Sequence, residues 1–93
     1  MNILNLSLFL NILNETLNPS IDSQFYGTDA ERKWEALNTF LNNTKIWLYE
    51  NHIRVHQIVF DTIDNYTYEC LTNEQLQKMN AEIQEKAIYF INE

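Results

Sequence analysis

The sequence predicts an all-α protein, a four-helix up-and-down bundle with helices at roughly 3–17, 29–50, 52–70 and 73–90. Apolar residues recur at intervals of three and four, which is the spacing of one helix face. Residues typical of helix starts precede two of the segments: Thr28 or Asp29 before the second, and a capping box of Thr72 and Gln75 before the fourth. The Asn-Gly and Asp-Gly pairs that mark tight β-hairpins are absent from the sequence.

The first predicted helix is apolar along two rows. The row expected to face the core consists of Ile3, Leu6, Leu10, Leu13 and Leu17. A second row, Leu4, Leu8 and Ile12, is more than a helix of a monomeric bundle needs to bury, so the sequence is compatible with a homodimer through this helix as well as with a monomer. Pro19 ends the helix, because proline disfavours helical conformation in the residue before it.

The other helices carry shorter apolar stripes, and one alternative stays open. The stripe of the second helix is Trp34, Leu37, Leu41, Thr44 or Lys45, and Leu48. That of the third helix is Val55, Val59 or Ile58, Ile63, Tyr66 and Cys70. That of the fourth helix is Leu76, Met79, Ile83, Ala87 and Phe90. In the alternative, a small α/β domain, Lys45–Tyr49 and Ala87–Ile91 form strands. Lys45–Tyr49 and Ile53–Phe60 both contain enough β-branched and aromatic residues for strands. The run Ile58-Val59-Phe60 lacks the alternation of a half-buried strand, which favours the helix.

Composition indicates one domain, residues 1–93, and excludes several common classes of site. A hydrophobic content of 45% is too high for a disordered acidic tail. The single glycine excludes the glycine-rich phosphate-binding loops, and the single cysteine, Cys70, excludes an internal disulfide and a CxxC zinc site. The first segment lacks the basic region of a signal peptide and is too short and polar to span a bilayer, so we expect a cytoplasmic protein without membrane insertion.

The net charge of −7 arises from 13 acidic and 6 basic residues. The basic residues are dispersed along the chain, so we do not expect direct binding to nucleic acid. A protein partner with a basic surface is favoured instead, because opposite charge steers association. The bias toward Asn and Ile is typical of an AT-rich genome, such as that of a low-GC bacterium or its phage.

No residue pattern points to an enzyme, a metal site or a cofactor. His52 and His56 have the spacing of two imidazoles on one helix face, but no third ligand is apparent, and we interpret them as surface histidines near a helix start. Cys70 has no neighbouring basic residue that would lower its thiol pKa, and its place on an apolar stripe predicts a buried structural thiol. The acidic residues show no sign of a cleft that would adapt them to acid–base catalysis.

Two clusters of acidic and aromatic residues are candidate partner-binding surfaces. One combines Glu31 and Glu35 with Trp34, although Trp34 also begins the apolar stripe of its helix. The other consists of Asp61, Asp64, Tyr66, Tyr68 and Glu69. Tyrosine supplies rigid contact area and carboxylates match a basic partner, a combination common at protein interfaces. A solvated acidic surface that serves only solubility is the alternative for both clusters.

The order of elements resembles the four-helix immunity proteins that protect bacteria from pediocin-like bacteriocins. Those proteins are cytosolic, are about this long, and end in a helix opened by Thr or Pro with acidic and Gln residues following. The corresponding segment here is Leu71-Thr72-Asn73-Glu74-Gln75-Leu76. The resemblance extends over most of the chain as a pattern and implies a protein that neutralises a toxin.

Residues 25–37 resemble the ribonuclease-inhibiting segment of the barstar family. In that family an aromatic pair and a glycine lead into a helix whose acidic residues flank a tryptophan, as in Phe25-Tyr26-Gly27-Thr28-Asp29-Ala30-Glu31-Arg32-Lys33-Trp34-Glu35-Ala36-Leu37. The resemblance implies that Tyr26, Glu31, Trp34 and Glu35 block a basic ribonuclease site. It also implies the α/β alternative, because barstar is an α/β protein.

Together these observations predict a non-enzymatic acidic protein that binds and neutralises another protein, as an immunity protein or antitoxin against a toxin or nuclease. A phage-encoded inhibitor of a host defence nuclease, in which carboxylates mimic nucleic-acid phosphates as in some anti-CRISPR proteins, is one alternative. A structural or regulatory homodimer formed through the first helix is the other.

Overall fold

A computed structural model of the protein describes residues 4–18, 29–66 and 72–91. The described residues form four α-helices, α1 (Leu6–Leu17), α2 (Asp29–Asn51), α3 (Ile53–Tyr66) and α4 (Asn73–Ala87), and a short 3-10 turn, Ile88–Phe90, that continues α4. They contain no strand. The all-α prediction is therefore confirmed, and the α/β alternative is wrong. Residues 45–49 lie within α2, residues 53–60 lie within α3, and residues 87–91 comprise the last residue of α4, the 3-10 turn and one further turn residue.

The four helices form a closed ring, in which α1 and α3 each contact both α2 and α4. Neighbouring helices run antiparallel. In α1 and α4, for example, Asn14 pairs with Asn80 and Leu10 pairs with Gln84, so position numbers rise along one helix as they fall along the other. The diagonal helices α2 and α4 run parallel, because Lys33 near the start of α2 bonds Asn73 at the start of α4. This is the up-and-down topology that the sequence predicts.

Side-chain caps set two of the helix starts. Asn5 accepts a hydrogen bond from the Leu8 backbone N–H at 2.8 Å, so α1 begins at Leu6 rather than at residue 3 as predicted. Asparagine is favoured at this position because its side chain satisfies a backbone donor that has no partner within the helix. Thr72 caps α4 in the same way through the Gln75 N–H at 3.1 Å, as the capping box predicts.

A single residue, His52, separates α2 from α3. Its backbone N–H donates to the Leu48 carbonyl and its own carbonyl accepts from the His56 N–H, so it is bonded to both helices. Beyond it α3 folds back along α2: the rings of Tyr49 and His56 lie 5.2 Å apart, and Lys45 Nζ lies 5.4 Å from the centre of the Phe60 ring. The third helix thus begins one residue after the predicted start at residue 52.

The predicted stripes supply most of the core. The fully buried side chains of largest volume are Phe9, Leu13, Leu17, Leu37, Leu48, Leu76, Met79, Ile83, Val55 and Val59. Phe9 was absent from the predicted rows, yet it is fully buried, with its ring 5.1 Å from Phe40 and 5.9 Å from Trp47. Aromatic pairs at these distances add stabilisation beyond their buried area. Phe9 therefore joins α1 to the second half of α2.

Three carboxamides, which we call the amide clamp, join α1 to α4: Asn14, Asn80 and Gln84. Asn80, only 5% exposed, donates through Nδ2 to Asn14 Oδ1 at 2.8 Å. Gln84 Nε2 donates to the Leu10 carbonyl at 2.7 Å and to Asn80 Oδ1 at 3.2 Å. A buried amide is costly to leave without partners, so these bonds favour a single register of α1 against α4.

Replacing Asn80 should test the amide clamp directly. Asn80→Ala removes the central residue of the clamp and leaves the side-chain oxygen of Asn14, Oδ1, without the donor that Asn80 supplies. We therefore expect the free energy of unfolding to fall by about 1–3 kcal/mol. Urea denaturation monitored by circular dichroism measures it. Gln77→Ala, at an exposed position on the same helix, is the control and should change stability by less than about 0.5 kcal/mol. Equal effects of the two substitutions would show that the clamp contributes nothing specific.

Candidate partner-binding surface

Glu31 and Glu35 lie one turn apart on α2 with both side chains exposed. Neither carboxylate has an ion-pair or hydrogen-bond partner in the described part of the chain. Trp34, which the sequence places beside them, is half-buried and packs against the core. The structure thus presents the two carboxylates to solvent on a helix whose opposite side is held by the core, with Trp34 serving mainly to fix that helix.

The second predicted cluster is only partly within the described residues. Asp61 and Asp64 are exposed on α3, and Asp61 lines a groove together with Arg54 and Lys86. Tyr66 is half-buried at the end of α3, where its hydroxyl donates to Glu82 Oε1 on α4 at 2.6 Å. Because deprotonation would lose this bond and set two anions together, Glu82 raises the pKa of Tyr66, and burial acts in the same direction. Tyr66 therefore links α3 to α4.

Several residues singled out from the sequence lie outside the described residues: Ile3, Pro19, Tyr26, Thr28, Tyr68, Glu69 and Cys70. Their predicted roles stay predictions. The described members of the two clusters are consequently Glu31, Trp34, Glu35, Asp61, Asp64 and Tyr66.

The fold brings exposed carboxylates together at one end of the bundle. Lys33 Nζ donates to Asn73 Oδ1 at 3.2 Å, which places the start of α2 beside the start of α4. Since α3 runs antiparallel to both helices, its last turn reaches the same end. We call this region the acidic end and define it by four exposed residues: Glu31, Glu35, Asp64 and Glu74. Lys33 is itself buried at 7% exposure, so its aliphatic stem packs inside while its ammonium is engaged by Asn73.

His52 and His56 are half-buried against aromatic rings and are not the surface histidines that their sequence context suggested. The ring of His52 meets Trp47 edge-on at 5.1 Å. His56 lies between Tyr49 at 5.2 Å and Phe60 at 4.6 Å, and its Nε2 is buried without a hydrogen-bond partner. The α2–α3 hairpin brings these rings together, which is why spacing along the chain did not reveal the contact.

The surroundings of His56 favour the neutral imidazole. Burial lowers the pKa of His56, and the positive charge of Lys45 from α2 lowers it further, while Asp61 from α3 partly opposes both. Among the described residues no group of three or more His, Cys, Asp or Glu side chains could hold a metal ion. The geometry therefore gives His56 a packing role in the helical hairpin.

The sequence reading missed the exposed apolar residues at the opposite end of the bundle. Ile46 is 72% exposed and Tyr49 58% exposed, and Ile53 is also exposed where α3 begins. Helical periodicity could have identified them, because Ile46 and Tyr49 lie outside the helix face that contains Leu41 and Leu48.

Comparison with protein-family models, with curated proteins and with solved structures finds no match for this chain. No helix in the described part of the chain has the length and apolarity needed to cross a membrane.

Lowering the pH from about 7.5 to about 5.5 should destabilise the protein through His56. The folded-state pKa lies below the unfolded one, so the stabilisation by neutral His56 is fully present above the unfolded value and is lost as the pH falls through the folded value. His56→Phe keeps an aromatic ring between Tyr49 and Phe60 and should reduce the fall in melting temperature. Thermal melts at constant ionic strength measure the difference.

The matched control for this experiment is His52→Gln, which removes the other imidazole of the hairpin. It should leave the pH-dependent fall attributed to His56 in place. An equal fall in wild type and His56→Phe would show that other groups cause the pH dependence.

Proposed function

We propose that this protein is a non-enzymatic binding protein that neutralises another protein with a basic surface, as an immunity protein or antitoxin does to a toxin or nuclease. The observation that carries the proposal is the pair of exposed carboxylates of Glu31 and Glu35, which lack partners in the described part of the chain. The pair belongs to an end of the bundle that presents further exposed carboxylates, and the whole chain carries a net charge of −7.

The electrostatics of the acidic end suit fast capture of a basic partner. Glu31 and Glu35, which have no partner among the described residues, give up no ion pair there when they meet a partner's lysine or arginine. Their long-range attraction raises the association rate, and salt screens it over a distance of about 8–10 Å. Rapid binding is what neutralisation of a toxic protein requires, since the toxin acts until it is captured.

The rigidity of α2 supports the same role. Glu31 and Glu35 stand on a helix of 23 residues whose inner side includes the buried Leu37, Leu41 and Leu48. The backbone of α2 is fixed in position before binding, so complex formation has to order only the two exposed side chains. The binding surface then requires no cofactor and no chemical step, only complementary charge and shape.

The same surface suits an inhibitor that occupies the nucleic-acid site of a nuclease, where carboxylates stand in for phosphates. In that case the target is a nuclease encoded by the host and the inhibitor is encoded by a phage. The two roles share one binding chemistry, and the gene neighbourhood separates them: a toxin gene alongside indicates immunity, and a phage locus indicates anti-defence.

Charge reversal on α2 tests the proposal with a partner recovered by co-purification and identified by mass spectrometry. The double substitution Glu31→Lys, Glu35→Lys should reduce the association rate several-fold at low salt and much less at high salt, because the removed attraction is long-ranged and screened. Surface plasmon resonance at two salt concentrations measures both rates. The melting temperature should change little, since exposed charges contribute little to stability.

One control and one further test separate the carboxylates of α2 from a general effect of charge. Glu85→Lys reverses an exposed carboxylate in the last turn of α4, at the opposite end of the bundle, and should have a smaller effect on association. Asp61→Lys with Asp64→Lys tests the α3 face. If none of these substitutions changes binding, the acidity serves solubility and the proposed recognition by charge is wrong. Recovery of only further copies of this chain would likewise remove the neutralisation proposal.

A further inference from the structure

The large apolar side chains exposed among the described residues all lie in one half of the bundle. They are Leu8, Ile46, Tyr49, Ile53, Ile88 and Tyr89. Leu8 belongs to the first half of α1, Ile46 and Tyr49 to the last two turns of α2, and the others to the start of α3 and the end of α4. The antiparallel arrangement collects these segments at the end opposite the acidic end.

Three of these residues form a patch on the helical hairpin, which we call the hairpin patch: Ile46, Tyr49 and Ile53. Ile46 and Tyr49 are three residues apart in α2 and share a helix face, and Ile53 follows at the turn. A soluble protein scatters single exposed apolar residues, whereas a group at one place marks an interaction site. The hairpin patch is therefore a surface to which something binds.

Tyr49 is held in place before any binding. Its ring packs against His56 at 5.2 Å, and His56 packs in turn on Phe60, over which Lys45 lies. A tyrosine fixed in this way offers contact area at low entropic cost, which is the property of the aromatic residues that dominate binding energy at interfaces.

The charges around the patch indicate what binds there. Lys45, Glu50 and Arg54 surround it, and all three side chains are exposed. A partner of uniformly positive charge would face two like charges, and one of uniformly negative charge would face Glu50. A surface that carries both signs is complementary to itself, because a twofold axis can set each carboxylate against a cation of the other copy.

We propose that the hairpin patch is the interface of a homodimer, and that its partner is a second copy of this chain. Two copies with a net charge of −7 repel each other, and they approach at least cost where the local charges are mixed. Contact through the hairpin patch leaves both acidic ends free and far apart. The interface differs from the predicted one on the first helix, where Leu4 and Ile12 are half-buried and only Leu8 is exposed.

Analytical ultracentrifugation across about a hundredfold range of protein concentration tests the dimer, because dimerisation follows mass action. Wild type should shift from monomer to dimer as concentration rises. Ile46→Glu should raise the dissociation constant by at least about a hundredfold, since each substitution acts twice in a twofold interface. Ile46→Gln, which adds no charge, should also weaken the dimer, and this separates lost apolar contact from repulsion.

Ala36→Glu is the matched control, because it adds the same charge at an exposed position of the same helix away from the patch. It should leave dimerisation largely unchanged. All variants should keep the melting temperature of the monomer, as the replaced side chains are exposed. Wild type that stays monomeric at every concentration overturns the proposal. A dimer that resists Ile46→Glu but dissociates with Leu8→Glu also overturns it and assigns the interface to α1. Neither result bears on the binding of a basic partner by the acidic end.

Discussion

The contact between α1 and α4 closes the ring of helices, and the other packing arrangements depend on it. Leu10 and Leu13 of α1 and Met79 and Ile83 of α4 are all buried in the closed bundle. Apolar packing alone leaves two helices some freedom to slide past each other. The amide clamp removes that freedom, because its bonds form only when Asn14 faces Asn80 and Leu10 faces Gln84. Buried polar groups of this kind contribute to the uniqueness of a fold.

The fold class was predictable from the sequence because it depends on the spacing of apolar residues and on the residues that begin and end helices. Leucines and isoleucines at helical spacing, Pro19 after the first helix and Thr72 before the last sufficed for four helices close to their observed bounds. The fold-back at His52 was predictable only as a short break. Its geometry depends on contacts between side chains such as Lys45 and Phe60, which are distant in sequence and have no local signature.

Polar residues inside the bundle were harder to predict than apolar ones. Asn80 occupies a core position within the stripe of α4, where the sequence alone suggests an exposed amide. Its side-chain amide donates to Asn14 of α1, which is 66 positions away in the sequence. Lys33 is buried for the same reason, since Asn73 engages its ammonium across the bundle. Of the candidate site, the exposure of Glu31 and Glu35 was predictable from helical phase, whereas the link from Tyr66 to Glu82 required the packed structure of α3 on α4.

The two ends of the bundle differ in chemistry, although the four helices run through both. The acidic end gathers carboxylates on the first turns of α2 and α4 and the last turn of α3, and the opposite end gathers apolar side chains on the hairpin and the end of α4. This division follows from topology, because antiparallel helices bring together segments that are far apart in the chain. Residues of the two ends alternate along the chain, so the difference is not apparent from the linear sequence.

The amide clamp has a consequence for the order in which the molecule assembles. Its two bonds between helices join residues separated by 66 and 74 positions, whereas the ring contact of Tyr49 with His56 in the α2–α3 hairpin joins residues only seven positions apart. Closing a long segment of chain costs more entropy than closing a short one, so we expect the hairpin to form early and the ring to close late. Contacts that form after the transition state govern how long the native state survives rather than how fast it is reached. Stopped-flow measurements would show whether the amide clamp forms before or after the folding transition state. If it forms after, weakening the clamp should accelerate unfolding and leave the refolding rate nearly unchanged. A slower refolding rate would show that the clamp forms before the transition state.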